Sequence, residues 1–503
     1  MGIATVYAVV IAILALKYHL VGDYGVETDF FWSYVPEAKK VLGGSFVIED
    51  FRGPGYPTVL AGAFLLFRDY FRAGILLSVL AASGTLFFAF ELLRRLFRAD
   101  VAIVGTALVA LNRTFIQYSY SAGTDMVFNA MVTATAYFLL KDEQRKPLNM
   151  IIAGVLAGIA YLTRYNGVFV VLAVPVIVLL VDRTNSSLKE RVVSGGTFLA
   201  AFLMTIAPWG TFCLIEKGSF FYNRNYLNIA YEMFAKGRVP WDQYWNVEVT
   251  KYASLASVIM ADPGLFLSTL VKNLYEHLVG DLGLLLGWQT GILVFFGALL
   301  FFREKPTKGQ SAFYVYGGSF FLVLLLVFYG ERFSLFLLPV YVSLALKALT
   351  WQRFAGFRFW GRIQVGALAC YALILWSFSD AYSFNKANID SGPKEIPVIA
   401  QWFKDHGGDV EAGKTIICRK PHIAYYLNME MASFPYVNTI DSLRAEVKRA
   451  GGSYLFFGLM EAGMRPQFQQ LLDPANAPAW LRPVTYTVAP PAVLYKVETS
   501  SAP

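Results

Sequence analysis

Cysteine, histidine and charge are all scarce in this 503-residue chain, and each shortage closes off a class of protein. The three cysteines, Cys213, Cys370 and Cys418, stand far apart, two of them inside apolar runs, so no disulfide framework is legible. The four histidines, His19, His277, His406 and His422, show no spacing that places a pair on one helix face, and no zinc signature of the HExxH kind. Only 16% of the residues are charged while 56% are hydrophobic; average soluble domains carry about 25% charged residues. That balance excludes an ordinary soluble enzyme and makes the chain a polytopic membrane protein. A net charge of +8 raises nucleic acid as a partner. The cations, however, lie in short loops between apolar runs rather than in one patch, so the bilayer is the expected partner and nucleic acid is not.

What is present is a succession of apolar runs near the length needed to cross a bilayer. Spans are expected near Thr5 to Leu20, Ala73 to Leu93, Val101 to Phe115, Thr124 to Leu140, Leu148 to Thr163 and Gly167 to Val181. Further spans are expected near Val192 to Leu214, Leu282 to Phe302, Ala312 to Phe328, Ser334 to Leu349 and Ile363 to Phe378, about eleven in all. The first apolar segment lacks a basic start and a small-residue cleavage site, so it reads as a retained helix. Alternate loops carry Arg94, Arg95 and Arg98; Lys141, Arg145 and Lys146; Arg183, Lys189 and Arg191; Arg303, Lys305 and Lys308; and Arg353, Arg358 and Arg362. The positive-inside rule makes these loops cytoplasmic.

The intervening segments then face the other side. The expected organisation is a membrane module over residues 1–379, with external loops at 21–72 and 216–263, followed by an extracytoplasmic α/β domain over 380–503. In that tail, Thr415 to Cys418, Ser453 to Phe457 and Ala492 to Val497 read as strands. Ile396 to His406 and Ser442 to Ala450 read as helices closed by glycine pairs.

The opening loop concentrates the chemistry. Glu27-Thr28-Asp29 precedes a Phe30-Phe31-Trp32 cluster, and Asp50 precedes the rigid turn Arg52-Gly53-Pro54-Gly55-Tyr56-Pro57. A short surface helix is expected from Pro36, in a first helical turn, to Leu42, with Gly43-Gly44 ending it. Tyr56 to Phe67 is too short to span and reads as an interfacial or re-entrant helix. Carboxylates held at a membrane surface suit proton abstraction, and the candidates are Glu27, Asp29, Asp50 and Asp125. A helix cap would account for Asp125, in Ser121-Ala122-Gly123-Thr124-Asp125, and a surface pair with Arg52 would account for Asp50. Arg332, in Tyr329-Gly330-Glu331-Arg332-Phe333, and Arg164, in Leu162-Thr163-Arg164-Tyr165-Asn166-Gly167, sit at external ends of spans. A guanidinium there either clamps a phosphate or snorkels to headgroups. The aromatic stretch from Phe220 to Trp245 fits sugar rings or an interfacial belt.

Taken in order, these pieces resemble the GT-C glycosyltransferases, in the branch with protein O-mannosyltransferases and aminoarabinose (lipid A) transferases. The resemblance implies a GT-C type fold and an inverting enzyme that moves a sugar from a polyprenyl-phosphate donor to an extracytoplasmic acceptor: a lipid-linked glycan, lipopolysaccharide or protein. It implies Asp29 as the catalytic acid residue of the opening loop and Asp125 as the acid of the second external loop. Arg332 becomes the arginine that meets the carrier phosphate, and Glu27, Asp50, Arg52, Tyr56, Arg164 and Tyr165 complete the expected substrate-binding set. Phe30 stands where an Asp-Glu pair is common, and Phe333 where tyrosine is usual. Metal dependence varies across the fold, so a divalent cation is admitted as a cofactor without being required. The implied place is the cytoplasmic (inner) membrane. A transporter would need substrate groups near the bilayer midplane and internal repeats, and a non-catalytic envelope assembly protein would need no acid and arginine constellation.

Overall fold

A computed structural model describes residues 2–142, 145–181, 187–241, 244–245, 251–351, 356–359 and 363–498. Arg183, Arg353 and Arg362 of the basic loops, and residues 499–503 of the tail, lie outside them. The chain divides into two compact units, one made of Met1–Leu14 with Lys40–Lys386, the other of Ala15–Lys39 with Ala387–Pro503. The first part of the opening loop, residues 21–39, therefore belongs to the same unit as the tail.

The first unit is helical. Helices or helical stretches long and apolar enough to cross a membrane run over Tyr70–Leu96, Leu188–Lys217, Glu331–Leu349 and Val365–Asp405. Ala99–Ala110 with Arg113–Tyr120, and Leu255–Ala261 with Pro263–Leu285, qualify as bent pairs. Shorter apolar helices include Gly55–Phe67, Thr124–Leu140 and Pro147–Thr163. Local chemistry sets several of these starts. Asp69 accepts the Arg72 N–H at 3.0 Å, Asn112 accepts that of Phe115 at 3.0 Å, and Asp262 accepts that of Leu265 at 2.8 Å just before Pro263.

Three departures from the sequence pattern bear on the site. The span expected over Val101 to Phe115 breaks where Asn112 caps a new helix, and the two parts meet at 62°. The helix Pro263–Gly280, continued by a wide turn Asp281–Leu285, occupies residues expected partly as loop. Helix Lys308–Leu324 ends short of Phe328, and the chain resumes as a 3-10 turn, Glu331–Leu337, running into helix Leu338–Leu349.

Pro36 also sits differently from expectation. The helical run begins at Thr28 and passes through a π-turn, Phe30–Tyr34, before Val35–Leu42. The Val35 N–H reaches back to the Phe30 carbonyl, five residues away. A proline clashes with the carbonyl four residues before it, and a widened turn relieves that clash. Left-handed Gly44 then closes the helix, its N–H on the Val41 carbonyl at 3.0 Å.

The second unit is the small α/β domain that the tail pattern predicts. Its five strands are β1 (Thr415–Cys418), β2 (Glu430–Ser433), β3 (Tyr454–Gly458), β4 (Leu481–Val488) and β5 (Pro491–Val497), in the order β2-β1-β3-β5-β4. β1 is parallel to β2 and β3, whereas β5 is antiparallel to β3 and β4. Every residue of β3 is buried, so both sheet faces are covered. Ile416, Tyr454, Phe456 and Leu494 join one core with Ile396, Ile399 and Phe403 of helix Glu395–Asp405. Ile417, Leu455, Phe457 and Val493 join the opposite core with Leu443 and Val447 of helix Ile440–Arg449. The alternation is that of strand side chains. Val21 and Tyr24 of the opening loop pack onto the first core.

Candidate active site

Each unit holds part of the expected set. In the second, the opening loop is folded around Glu27, which is fully buried and accepts from His19 Nε2 at 2.8 Å and the Asp23 N–H at 2.7 Å. Burial opposes charge on His19, but the Glu27 carboxylate outweighs it and lifts the imidazole above its ordinary pKa. Asp23 receives the N–H groups of Gly25 and Val26 at 2.6 and 2.8 Å, a side-chain-closed turn. The Tyr24 hydroxyl donates to Glu395 at 2.8 Å, and His422 Nε2 donates to the Asp23 carbonyl at 3.2 Å. The His422 ring lies 4.6 Å from Phe31 and 4.9 Å from Tyr24. Glu27 thus anchors the loop, while Asp29, in the first turn of the following helix, stays half-buried.

In the first unit, Asp125 opens helix Thr124–Leu140 behind Gly123, a residue with no capping side chain. Its carboxylate receives Arg164 Nη1 at 2.5 Å, and the same nitrogen lies 3.3 Å from the Thr124 hydroxyl. Arg164 follows helix Pro147–Thr163 in extended backbone, which turns its side chain out of the helix end. Its guanidinium lies 5.7 Å from the centroid of the Phe333 ring, and that of Arg332 lies 4.9 Å from the same centroid. Arg332 also donates to the Tyr118 hydroxyl. Two guanidiniums, one carboxylate and an aromatic face therefore meet, and directed donors of this kind suit an anionic oxygen.

The turn Arg52-Gly53-Pro54-Gly55 is seated on the end of the helix that leads to Arg164. A Cβ on Gly53 would fall 2.1 Å from the Leu162 carbonyl oxygen, and one on Gly55 would fall 2.8 Å from the Leu162 carbonyl carbon. Only glycine admits that approach. Asp50 takes the Tyr222 hydroxyl at 2.7 Å and Arg224 Nη1 at 3.1 Å, which ties the opening loop to the aromatic stretch instead of to Arg52. Arg52 is half-buried and Tyr56 is fully buried in helix Gly55–Phe67. Tyr165 is a packing residue, its hydroxyl 3.3 Å from Trp209 Nε1.

The loop that carries Arg332 is held from the helix Pro263–Gly280 and its continuation. Asn273 Nδ2 donates to the Leu325 carbonyl at 2.9 Å and His277 Nε2 to that of Val327 at 3.1 Å. One turn on, Asp281 accepts the Tyr341 hydroxyl at 2.6 Å. Backbone freed by an unwound helix within a membrane needs such partners. Sequence reasoning missed these three residues, although their spacing of four along one helix face was readable once the helix was recognised. It also missed Tyr118 and Arg224, for which no local signal exists, and it read Tyr222 only as one member of the aromatic stretch, not as a partner of Asp50. Among the described residues no three His, Cys, Asp or Glu side chains gather to hold a metal ion.

With this geometry in hand, known proteins supply a context. The sequence profile of the dolichyl-phosphate-mannose-protein mannosyltransferase family matches residues 52–210. No curated sequence matches the chain. Among solved structures, ArnT from Cupriavidus metallidurans bound to undecaprenyl phosphate aligns over 100% of this chain and 99% of its own, with a TM-score of 0.56 and 12% identity. The Archaeoglobus fulgidus oligosaccharyltransferase in the apo form aligns over 93% of this chain and 72% of its own, with a TM-score of 0.60 and 12% identity. The archaeal oligosaccharyltransferase AglB from the same organism, in complex with an inhibitory peptide and a dolichol-phosphate, aligns over 100% and 74%, with a TM-score of 0.58 and 12% identity.

Proposed function

From a chain with the GT-C glycosyltransferase fold, we propose an inverting glycosyltransferase that moves a sugar from a polyprenyl-phosphate donor to a hydroxyl-bearing acceptor. The observation that carries the reading is the pair Arg164 and Arg332, both within 6 Å of the Phe333 ring centroid, with Arg164 on Asp125. A polyprenyl phosphate leaves as an anion, and fixed guanidinium donors stabilise the charge that develops on it. The neighbours named above, which bind undecaprenyl phosphate or dolichol-phosphate, support the choice of carrier.

Asp29 takes the proton of the acceptor hydroxyl. The acceptor oxygen forms its bond to the anomeric carbon as the bond from that carbon to the phosphate oxygen breaks. The electron pair departs with polyprenyl phosphate, toward Arg332, and the anomeric configuration inverts. Phosphate is a good leaving group, so no general acid is required of the protein. The positive-inside reading of the basic loops supports an extracytoplasmic side of the cytoplasmic membrane for the acids and the C-terminal domain. The acceptor is a glycan, lipid or protein exposed there.

The test offers the purified protein a panel of undecaprenyl-phosphate sugars with a membrane extract as acceptor, and follows released undecaprenyl phosphate in wild type and Asp29→Asn. Release from one sugar, lost in the variant, is the expected result. Retention of the donor's configuration in the product would overturn single displacement, and substrate flux across proteoliposomes without bond cleavage would replace the enzyme with a transporter.

A further inference from the structure

The loop that carries Asp29 belongs to the same compact unit as the C-terminal sheet, and one cation of that domain clamps it. Lys420 lies two residues beyond β1. Its Nζ donates to the Tyr24 carbonyl at 2.8 Å and to the Thr28 hydroxyl oxygen at 2.9 Å. The Thr28 hydroxyl in turn donates to the Tyr24 carbonyl at 2.6 Å, closing a ring of three groups around the residue next to Asp29.

An ammonium drawn partly out of water and bonded to neutral oxygens is an expensive arrangement unless its charge has an object. Burial, with Arg419 beside it, lowers the Lys420 pKa, while Asp29, Asp23 and Glu461 act against that fall. Asp29 and Asp23 face it from the opening loop, and Glu461 faces it from helix Leu459–Met464. Asp29 stands one residue from the clamp, at the start of a helix whose other anchor is the contact of Phe31 with His422 and Tyr425.

We propose that Lys420 is a positioning residue for the transfer reaction: by holding Thr28 and the Tyr24 carbonyl it fixes the first turn that aims Asp29, and it keeps a positive charge beside that acid. The C-terminal domain is thereby part of the catalytic apparatus. The inference rests on the reading of Asp29 as the base.

The experiment measures initial rates of undecaprenyl phosphate release by full-length protein in nanodiscs, from the undecaprenyl-phosphate sugar that the panel identifies. Variants are Lys420→Met, Lys420→Arg, Thr28→Val, Thr28→Ser, the double Lys420→Met/Thr28→Val, and Asp29→Asn. Misaiming a catalytic group costs up to about 100-fold, so Lys420→Met should lose about 10- to 100-fold in kcat, with the donor KM within about twofold of wild type. Lys420→Arg and Thr28→Ser should recover most of the rate. The double variant should be no worse than the poorer single one, because both remove one clamp.

Wild-type kcat in Lys420→Met, losses that multiply in the double variant, or a change confined to KM would overturn the proposal. If Lys420→Met melts early, Thr28→Val decides, since it keeps the lysine. A lost kcat at the wild-type melting temperature supports the clamp, and a wild-type kcat overturns it. Full activity in Asp29→Asn is a separate outcome that removes the base assignment itself.

Discussion

Arg164 reaches from the end of one helix to the carboxylate of Asp125 at the start of another, 2.5 Å away, with both side chains largely withdrawn from solvent. Arg164→Met strands that carboxylate. The expected result is a loss of about 1–3 kcal/mol in stability together with a fall of at least about tenfold in kcat/KM for the donor. Arg164→Lys keeps the charge but not the planar fork, and should recover only part of the rate. Thermal melting and initial rates on the same preparations check this; a wild-type rate in Arg164→Met would remove the residue from the site.

Phe333 is the shared face for two guanidiniums. Cation–π contacts are worth about 0.5–2 kcal/mol. Phe333→Leu should therefore raise the donor KM several-fold with a smaller change in kcat, and Phe333→Tyr should behave as wild type. Equal KM values for the leucine and wild-type proteins would count against the ring as a platform.

Gly53 meets the Leu162 carbonyl where no side chain can yield, while Gly62, in the neighbouring helix, has nothing within 4 Å of a built Cβ. Gly53→Ala should displace the turn, lower the melting temperature by several degrees, about 1–3 kcal/mol of strain, and reduce transfer. Gly62→Ala should be neutral or stabilising by up to about 1 kcal/mol. Similar melting of the two variants would mean that the turn is not seated as described.

His422 links folding to pH. Burial pushes its pKa down from 6.5 to about 3, and the hydrogen bond from Nε2 to the Asp23 carbonyl only partly offsets this. Between those values the unfolded chain binds the proton and the folded one does not, so stability falls as the pH drops below about 6.5, by ~2 kcal/mol at pH 5. His19 works in the opposite sense. Its pKa is raised in the fold, so its contribution is fully present below about pH 6.5 and lost as the pH rises through the folded value. His422→Gln should flatten the fall in melting temperature between pH 7 and pH 5; an unchanged slope would show that another group governs it.

The sequence announced some of this arrangement and concealed the rest. β1 is legible residue for residue, because a short apolar run between polar breaks can only be a buried strand here. The Arg164 segment is equally plain, since a span simply ends there. Helix Pro263–Gly280 was hidden by Lys272, Asn273, Glu276 and His277, which dilute its hydropathy even though Asn273 and His277 are buried. The pairing of Asp50 with Arg224 was hidden because it joins two loops distant in sequence, whereas a local reading sees only Arg52. The same distance concealed that Asp29 shares a folding unit with the tail, whereas Glu27 was hidden by its burial, since its partners His19 and Asp23 stand close by in sequence.

That shared unit has a consequence for the order of events during synthesis. Residues 15–39 are made long before residues 387–503, which complete their surroundings. At ribosomal speeds of about 5–20 residues per second the opening loop waits tens of seconds for its partner. β5, the strand between β3 and β4, is made after both of them. A nascent chain anchored in the bilayer by its early helices therefore carries Asp29 in an unfinished setting. That setting is complete only once β5 has joined the sheet between β3 and β4.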